Sequence, residues 1–248
     1  MTARALRYAL GVARLRPDDV LVSSFPRSGS TYLRFLTAYA VLGPGADALD
    51  FSALNRAMPE LGADPLADPA PLPGAPRVVK THRPWTPLFA RPRAVWLVRA
   101  PLDALASYHR YWLARGDAGV LADAEAFVRD RRRGLPRWIR HAQTWAPRAE
   151  HAIRYAELRR EPAATLRRWL GVLGVEVAEP AVASAVERSA AARVRELAVT
   201  GSDRLADGFA FAREGEADGA AYFGAAAAAW AERALRDAGL AAWTREGR

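Results

Sequence analysis

The chain has 248 residues, of which 51% are hydrophobic, enough to build the core of one α/β domain. The absence of cysteine excludes disulfide and thiol chemistry, and no apolar run reaches the ~18 residues that a membrane-spanning helix needs. The formal net charge of +9 favours anionic partners, and a small polyanion fits this charge as well as nucleic acid does. Residues 1–20 lack the pattern of a secretory signal, so we expect a cytoplasmic protein.

Hydrophobic periodicity predicts strands that alternate with helices. The predicted strands cover 18–25, 77–82, 93–98 and 151–155, and the predicted helices cover 31–43, 100–116, 121–134, 137–147 and 161–175. Residues 57–76 are rich in Pro, Gly and Asp and predict a long loop of the kind that forms lids or binding segments. Residues 176–248 are mostly helical in pattern. The alternation indicates a single domain over 1–248, with a central parallel sheet flanked by helices.

The stretch SFPRSGSTYLR (24–34) joins a buried strand to a helix through turn residues. Backbone N–H groups and hydroxyls at such a helix start can cradle a phosphate or sulfate. The stretch is not a Walker A loop, because it lacks the second glycine and the lysine of that motif. An ordinary turn with Ser and Thr caps explains the local sequence equally well.

Two further places carry chemistry-bearing side chains. Arg99 closes a buried strand and precedes Ser107 by eight residues, and ligands of open α/β sheets lie at the carboxyl ends of strands. Lys80 is the only lysine among the 36 Lys and Arg residues, and it stands two residues before His82. An ammonium is a mobile point charge, whereas a guanidinium is a planar fork. The lone lysine is therefore either an accident of composition or a site where one ligand atom must be reached.

Together these segments resemble the sulfotransferase family that uses 3′-phosphoadenosine 5′-phosphosulfate (PAPS). SFPRSGSTYL (24–33) is similar to its 5′-phosphosulfate loop, VKTHRP (79–84) to its K-T-H-x-P segment, and VRAPLDALASYHRY (98–111) to its 3′-phosphate segment. IRYAELRREPAATLRRWLGVLGV (153–175) resembles its Y-E-D-x-x-x-x-P segment and the following helix. The resemblance covers 18–175 and is weak over 176–248. It implies the family's P-loop-like, nucleotide-kinase-like fold.

The resemblance implies sulfuryl transfer to a hydroxyl by in-line displacement. His82 matches the family's catalytic base, and Lys80 and Arg27 are the cations at the reacting bond. Arg27 stands where the family has a lysine, which leaves Lys80 as the only ammonium available. The implied donor-binding residues are Arg27, Ser28, Gly29, Ser30, Thr31, Tyr32, Arg99, Ser107, Tyr155, Ser189, Arg213 and Gly215.

The C-terminal match, FAREGEADGAAYF (211–223), keeps only Arg213 and Gly215 of the family pattern, and Glu214 replaces a basic residue. A carboxylate near a 3′-phosphate is repulsive, so we expect Glu214 to point away or the segment to be rearranged. No cluster of His or carboxylates has metal-ligand spacing, so no metal is expected.

The expected acceptor is a small hydroxylated molecule, an alcohol or a phenol, in a pocket bordered by loop 57–76, Trp85, Phe89 and the C-terminal helices. Nucleic acid and membrane are not expected partners, and the chain is expected to be a monomer or a homodimer. Two alternatives stay open: a P-loop-like nucleotide kinase, and a non-catalytic nucleotide-binding module with the same fold. The kinase lacks a Walker A lysine and a clear magnesium-binding Asp.

Overall fold

A computed structural model describes residues 3–46, 49–66, 72–116, 122–190 and 218–243. The sheet has four parallel strands: β1 Val20–Ser24, β2 Val78–Thr81, β3 Arg93–Val98 and β4 His151–Arg154. Their order across the sheet is β2-β1-β3-β4. All four predicted strands are therefore confirmed, with boundaries shifted by one or two residues.

The strand order determines where a ligand can sit. The chain leaves β1 for β2 on one side and then crosses back over β1 to β3 on the other. The two directions diverge at the carboxyl ends of β1 and β3, and such switch points hold the ligand crevice of open α/β sheets. Residues 25–29 and Arg99 follow those two strand ends.

Eleven α-helices lie in the described part of the chain. They are α1 Ala3–Ala13, α2 Ser30–Leu42, α3 Phe51–Ala57, α4 Pro101–Ala114, α5 Ala124–Arg129, α6 Leu135–Trp145, α7 Tyr155–Arg160, α8 Pro162–Leu173, α9 Glu179–Arg188, α10 Gly219–Phe223 and α11 Ala225–Asp237. None of these helices is long and apolar enough to cross a membrane.

Two apolar cores cover the two faces of the sheet. Val20 and Val22 of β1 face the core formed with α2, α3, α8 and α9, whereas Leu21 faces the core formed with α4, α5, α6, α10 and α11. This alternation follows from the two-residue period of a strand. The α/β architecture with helices on both faces is thereby confirmed.

One expected helix and one expected strand need correction. The helix expected over 121–134 is shorter, since α5 ends at Arg129 and the Asp130 carboxylate then accepts the N–H groups of Arg132 and Arg133 in a turn. The strand expected to include Tyr155 ends at Arg154, and Tyr155 begins α7. The loop expected over 57–76 agrees with the described residues 58–66 and 72–76, which form no helix and only the isolated bridges of residues 60 and 61, whereas 67–71 lie outside the described residues.

Candidate active site

The loop after β1 has an unusual backbone. Gly29 caps α2 with φ 96°, and Arg27 has φ 67°, the one positive φ among the described residues other than glycine. Left-handed residues in a turn aim successive N–H groups into a concavity that suits anions. The Ser28 side chain is 1% exposed, and its hydroxyl has no hydrogen-bond partner within the described residues. A buried hydroxyl without a partner is unusual, and it is available to donate to an anion bound in the loop.

Gly29 is required by packing as well as by φ. A Cβ at this position would stand 2.3 Å from Cδ2 of the Tyr155 ring. The Arg99 guanidinium lies over the same Tyr155 ring, with its central carbon 4.5 Å from the ring centroid. The loop after β1, the end of β3 and the start of α7 therefore meet around the Tyr155 ring.

Arg27, Arg99 and Ser107 converge at the carboxyl ends of β1 and β3. Arg99 Nη1 donates to the carbonyl of Arg27 at 3.2 Å, and Arg27 Nε donates to Ser107 Oγ at 3.1 Å. These bonds tie the loop to α4 and to the end of β3, and they place the Arg27 guanidinium beside the Ser107 hydroxyl. Such groups bind phosphate through charge-assisted hydrogen bonds.

Lys80 and His82 reach the same end of the sheet from β2. Lys80 pairs with Val22 of β1, is 8% exposed, and its Nζ lies 2.8 Å from Oε2 of Glu60. His82 Nδ1 lies 2.7 Å from the Ser24 carbonyl at the end of β1. A carbonyl only accepts, so Nδ1 carries the proton and Nε2 of a neutral ring is free to accept one.

Burial and neighbouring charges determine the protonation states of His82, Lys80 and Glu60. It lowers the pKa of His82 to about 4, and the Lys80 ammonium adds to this effect, so the ring is neutral at pH 7. Burial also lowers the pKa of Lys80, which the Glu60 carboxylate opposes. Burial raises the pKa of Glu60, but the charges of Lys80, His82 and Arg34 together outweigh it and hold this pKa at about 2. The site thus contains a neutral base beside a buried ion pair.

The remaining predicted site residues are placed as follows. Ser30 begins α2, followed by Thr31 and Tyr32 on its first turn. Tyr32 lies close enough to Tyr155 for the two hydroxyls to interact electrostatically, and burial raises the pKa of Tyr32. Ser189 caps α9, is fully buried, and its hydroxyl has no partner within the described residues.

Some expectations fall outside this arrangement. Arg213, Glu214 and Gly215 lie outside the described residues. Phe89 does not border a pocket, because it is 1% exposed and stacks on Trp145 in the core. Within the described residues, no group of three or more His, Cys, Asp or Glu side chains could hold a metal ion.

Glu60 is the site residue that the sequence did not reveal. It lies 20 positions before Lys80 in a segment whose composition predicts a loop. No local pattern marks it, and the isolated lysine was the one signal that a buried partner carboxylate was needed.

Comparison with known proteins agrees with this geometry. A family model described as "Sulfotransferase domain" matches residues 17–219. Mouse Sulfotransferase 1A1 is 23% identical over an alignment of 197 residues, and the match covers 73% of this chain and 68% of that protein. Rat Sulfotransferase 4A1 is 22% identical over 190 residues, covering 70% of this chain and 66% of that protein.

Solved structures resemble the fold. Retinol dehydratase in a complex with retinol and PAP superposes with a TM-score of 0.68 and 20% identity, covering 93% of this chain and 85% of that one. Mouse sulfotransferase SULT7A1 complexed with PAP gives a TM-score of 0.68 at 16% identity, covering 98% and 96%. The expected P-loop-like fold is thereby confirmed.

Proposed function

The chain belongs to the sulfotransferase family, and we propose that it moves a sulfuryl group from PAPS to a hydroxyl of a small alcohol or phenol. The observation that carries this proposal is the meeting of two segments. The neutral, half-buried His82 and the only lysine, Lys80, come from the end of β2 to the end of β1, where the anion-binding loop begins.

The donor-binding residues fit an adenosine bisphosphate carrying a sulfuryl group. Ser28 offers a buried hydroxyl without a partner among the described residues, and Gly29 leaves the loop free of a Cβ where the Tyr155 ring passes. Arg99 and Ser107 each make a hydrogen bond to Arg27 at the switch point, which supports them as ligands of the 3′-phosphate. When bound, the donor supplies the sulfuryl group and a phosphate leaving group.

His82 acts as the base. Its Nε2 accepts the proton of the acceptor hydroxyl while Nδ1–H stays bonded to the Ser24 carbonyl, which fixes the ring orientation. The acceptor oxygen forms its bond to sulfur as the bond from sulfur to the phosphate oxygen breaks, and the electron pair of that bond stays on the phosphate.

Lys80 and Arg27 balance the negative charge that grows on the leaving oxygen. Lys80 can reach a single atom because its ammonium lies on a flexible stem. Arg27 donates to Ser107 and has a fixed position in the loop, so it anchors the anion. Lys80 is therefore the mobile cation of the site, and Arg27 is the fixed one.

The acceptor class is supported by the surroundings of His82. Trp85, three residues after His82, is a half-buried aromatic side chain. Two of the similar structures are complexes with androsterone and with retinol, which are small apolar molecules. We further propose one domain over 1–248, a cytoplasmic location without a nucleic-acid or membrane partner, no metal requirement, and a monomeric or homodimeric state.

A screen of alcohols and phenols with PAPS, read by mass spectrometry, tests this function. We expect at least one acceptor to gain a single sulfuryl group, without added metal. A parallel reaction with ATP and Mg²⁺ tests the kinase alternative. Phosphorylated product together with no sulfated product would overturn the proposal.

A further inference from the structure

We propose that Glu60 is a positioning residue of this transfer site, which keeps Lys80 charged and in place and stabilises His82 once that ring has taken a proton. The proposal rests on the sulfotransferase function given above. It adds a carboxylate, from a segment far from β2 in sequence, to the residues that the transfer depends on.

The backbone holds Glu60 in register with Lys80. The N–H of Lys80 donates to the carbonyl of Pro59 at 2.8 Å, and the N–H of Leu61 donates to the carbonyl of Lys80 at 2.8 Å. These two bonds form a short parallel bridge at the free edge of β2. The Asp64 carboxylate accepts the N–H of Glu60 at 2.9 Å, so the turn after the bridge is fixed too. Hydrogen bonds of the main chain at Pro59, Glu60 and Leu61 therefore fix the position of Glu60.

A single carboxylate oxygen serves both functional side chains. Glu60 Oε2 is 2.8 Å from Lys80 Nζ and 4.0 Å from His82 Nε2, the nitrogen that faces the acceptor. Lys80 is buried and could not keep an uncompensated charge there. The Glu60 carboxylate supplies the compensation before the donor arrives. After proton transfer, the same oxygen lies beside the new imidazolium.

Other charges around the pair do not replace Glu60. Lys80 is faced by Arg34 from α2, which disfavours its charge, and by Asp64, which favours it less than Glu60 does. His82 is faced by Lys80 and Arg137, whose charges disfavour its protonation, and by His141. Among these neighbours, Glu60 is the negative charge that most favours the protonated forms of both Lys80 and His82.

The first test uses the fact that the chain has one lysine. Protein made with isotope-labelled lysine gives a single side-chain NMR signal, which needs no assignment and reports the titration of Lys80 directly. Glu60→Gln keeps the shape and a hydrogen-bond acceptor but removes the charge. We expect Lys80 to lose its proton at a lower pH in this variant than in the unaltered protein. An unchanged titration would overturn the proposal, whether or not transfer has been measured.

The second test measures turnover. Glu60→Gln should lower kcat roughly 10–100-fold and move the basic limb of its pH profile to lower pH, while adenosine 3′,5′-bisphosphate binding changes less than about 3-fold. In a Lys80→Met background, the same change should lower kcat by a smaller factor than in the unaltered protein, because only the stabilisation of His82 is then left to lose. The positioning role is refuted if Glu60→Gln lowers kcat by the same factor in both backgrounds, or if the pH profile of kcat does not move.

A matched control separates this effect from general loss of an ion pair. Glu125→Gln removes the exposed pair with Arg129 on α5 and should leave turnover and the lysine signal unchanged. If the unaltered protein transfers no sulfuryl group, the proposed function fails. If it does transfer and Glu60→Gln matches Glu125→Gln, only the role of Glu60 fails.

Discussion

Replacing Gly29 by alanine should damage both the stability of the fold and the donor site. Gly29 has φ 96°, and an added Cβ would stand 2.3 Å from Cδ2 and 2.6 Å from Cε2 of Tyr155. The ring cannot move away freely, because the Arg99 guanidinium lies 4.5 Å from its centroid. The substitution therefore strains the loop and displaces the packing between the loop, β3 and α7.

Two costs add up in this variant. A left-handed backbone costs a residue with a Cβ about 1–2 kcal/mol, and forcing a methyl group into packed surroundings costs about 1–3 kcal/mol. We expect the free energy of unfolding to fall by roughly 2–5 kcal/mol, and the affinity for adenosine 3′,5′-bisphosphate to fall with it.

Urea denaturation and titration calorimetry measure these two losses. Gly171→Ala is the matched control, because Gly171 lies inside α8 and an added Cβ there would meet open space within 4 Å, so alanine should be neutral or stabilising by up to ~1 kcal/mol. In a Tyr155→Ala background the steric part should disappear and the backbone part should remain. A Gly29→Ala protein as stable and as tightly binding as Gly171→Ala would refute the reasoning.

Lys80→Arg keeps the charge but not the reach, so kcat should fall at least about 10-fold while calorimetry shows nearly unchanged bisphosphate affinity. The double change Arg99→Ala with Ser107→Ala should erase the preference for the bisphosphate over 5′-AMP, a loss on the order of 2–4 kcal/mol in relative binding free energy. Burial lowers the pKa of His141 to about 3, so the unfolded chain takes up its proton first and stability falls as pH drops below about 6.5. Between pH 6.5 and 5 this residue contributes roughly 2 kcal/mol of that loss, and urea melts of His141→Gln should show a shallower decline.

Each of these outcomes has a clear opposite. A fully active Lys80→Arg enzyme would make the lone lysine an accident of composition. Equal affinity of the unaltered protein for both nucleotides would remove Arg99 and Ser107 from phosphate selection. Identical pH dependence of unfolding with and without His141 would show that its protonation is not coupled to folding.

The sequence was sufficient for features that depend on local patterns. The four strands are short β-branched or apolar runs, and the loop from Arg27 to Gly29 was marked by its turn residues. The placement of Arg99 and Ser107 at Arg27 agrees with what the resemblance to the family's 3′-phosphate segment implied, since the spacing alone carried little information.

Features that depend on distant packing could not be predicted. The contact between Gly29 and Tyr155 joins residues more than 100 positions apart, and its cause is the pairing of β4 with β3. Glu60 reaches Lys80 through an isolated bridge that has no strand-like pattern. Phe89 looked like a pocket residue because aromatic character alone does not distinguish a core position from a lining one.

The most direct test of the account is single-turnover sulfuryl transfer from PAPS in His82→Ala. We expect a loss of roughly 10²–10⁴-fold, largest for weakly acidic alcohols, with bisphosphate binding nearly intact. His151→Ala is the appropriate control, because His151 is exposed, whereas His109 is buried against Phe127. Full activity of His82→Ala with alcohol acceptors, or an equal loss in His151→Ala, would contradict the assignment of His82 as the base.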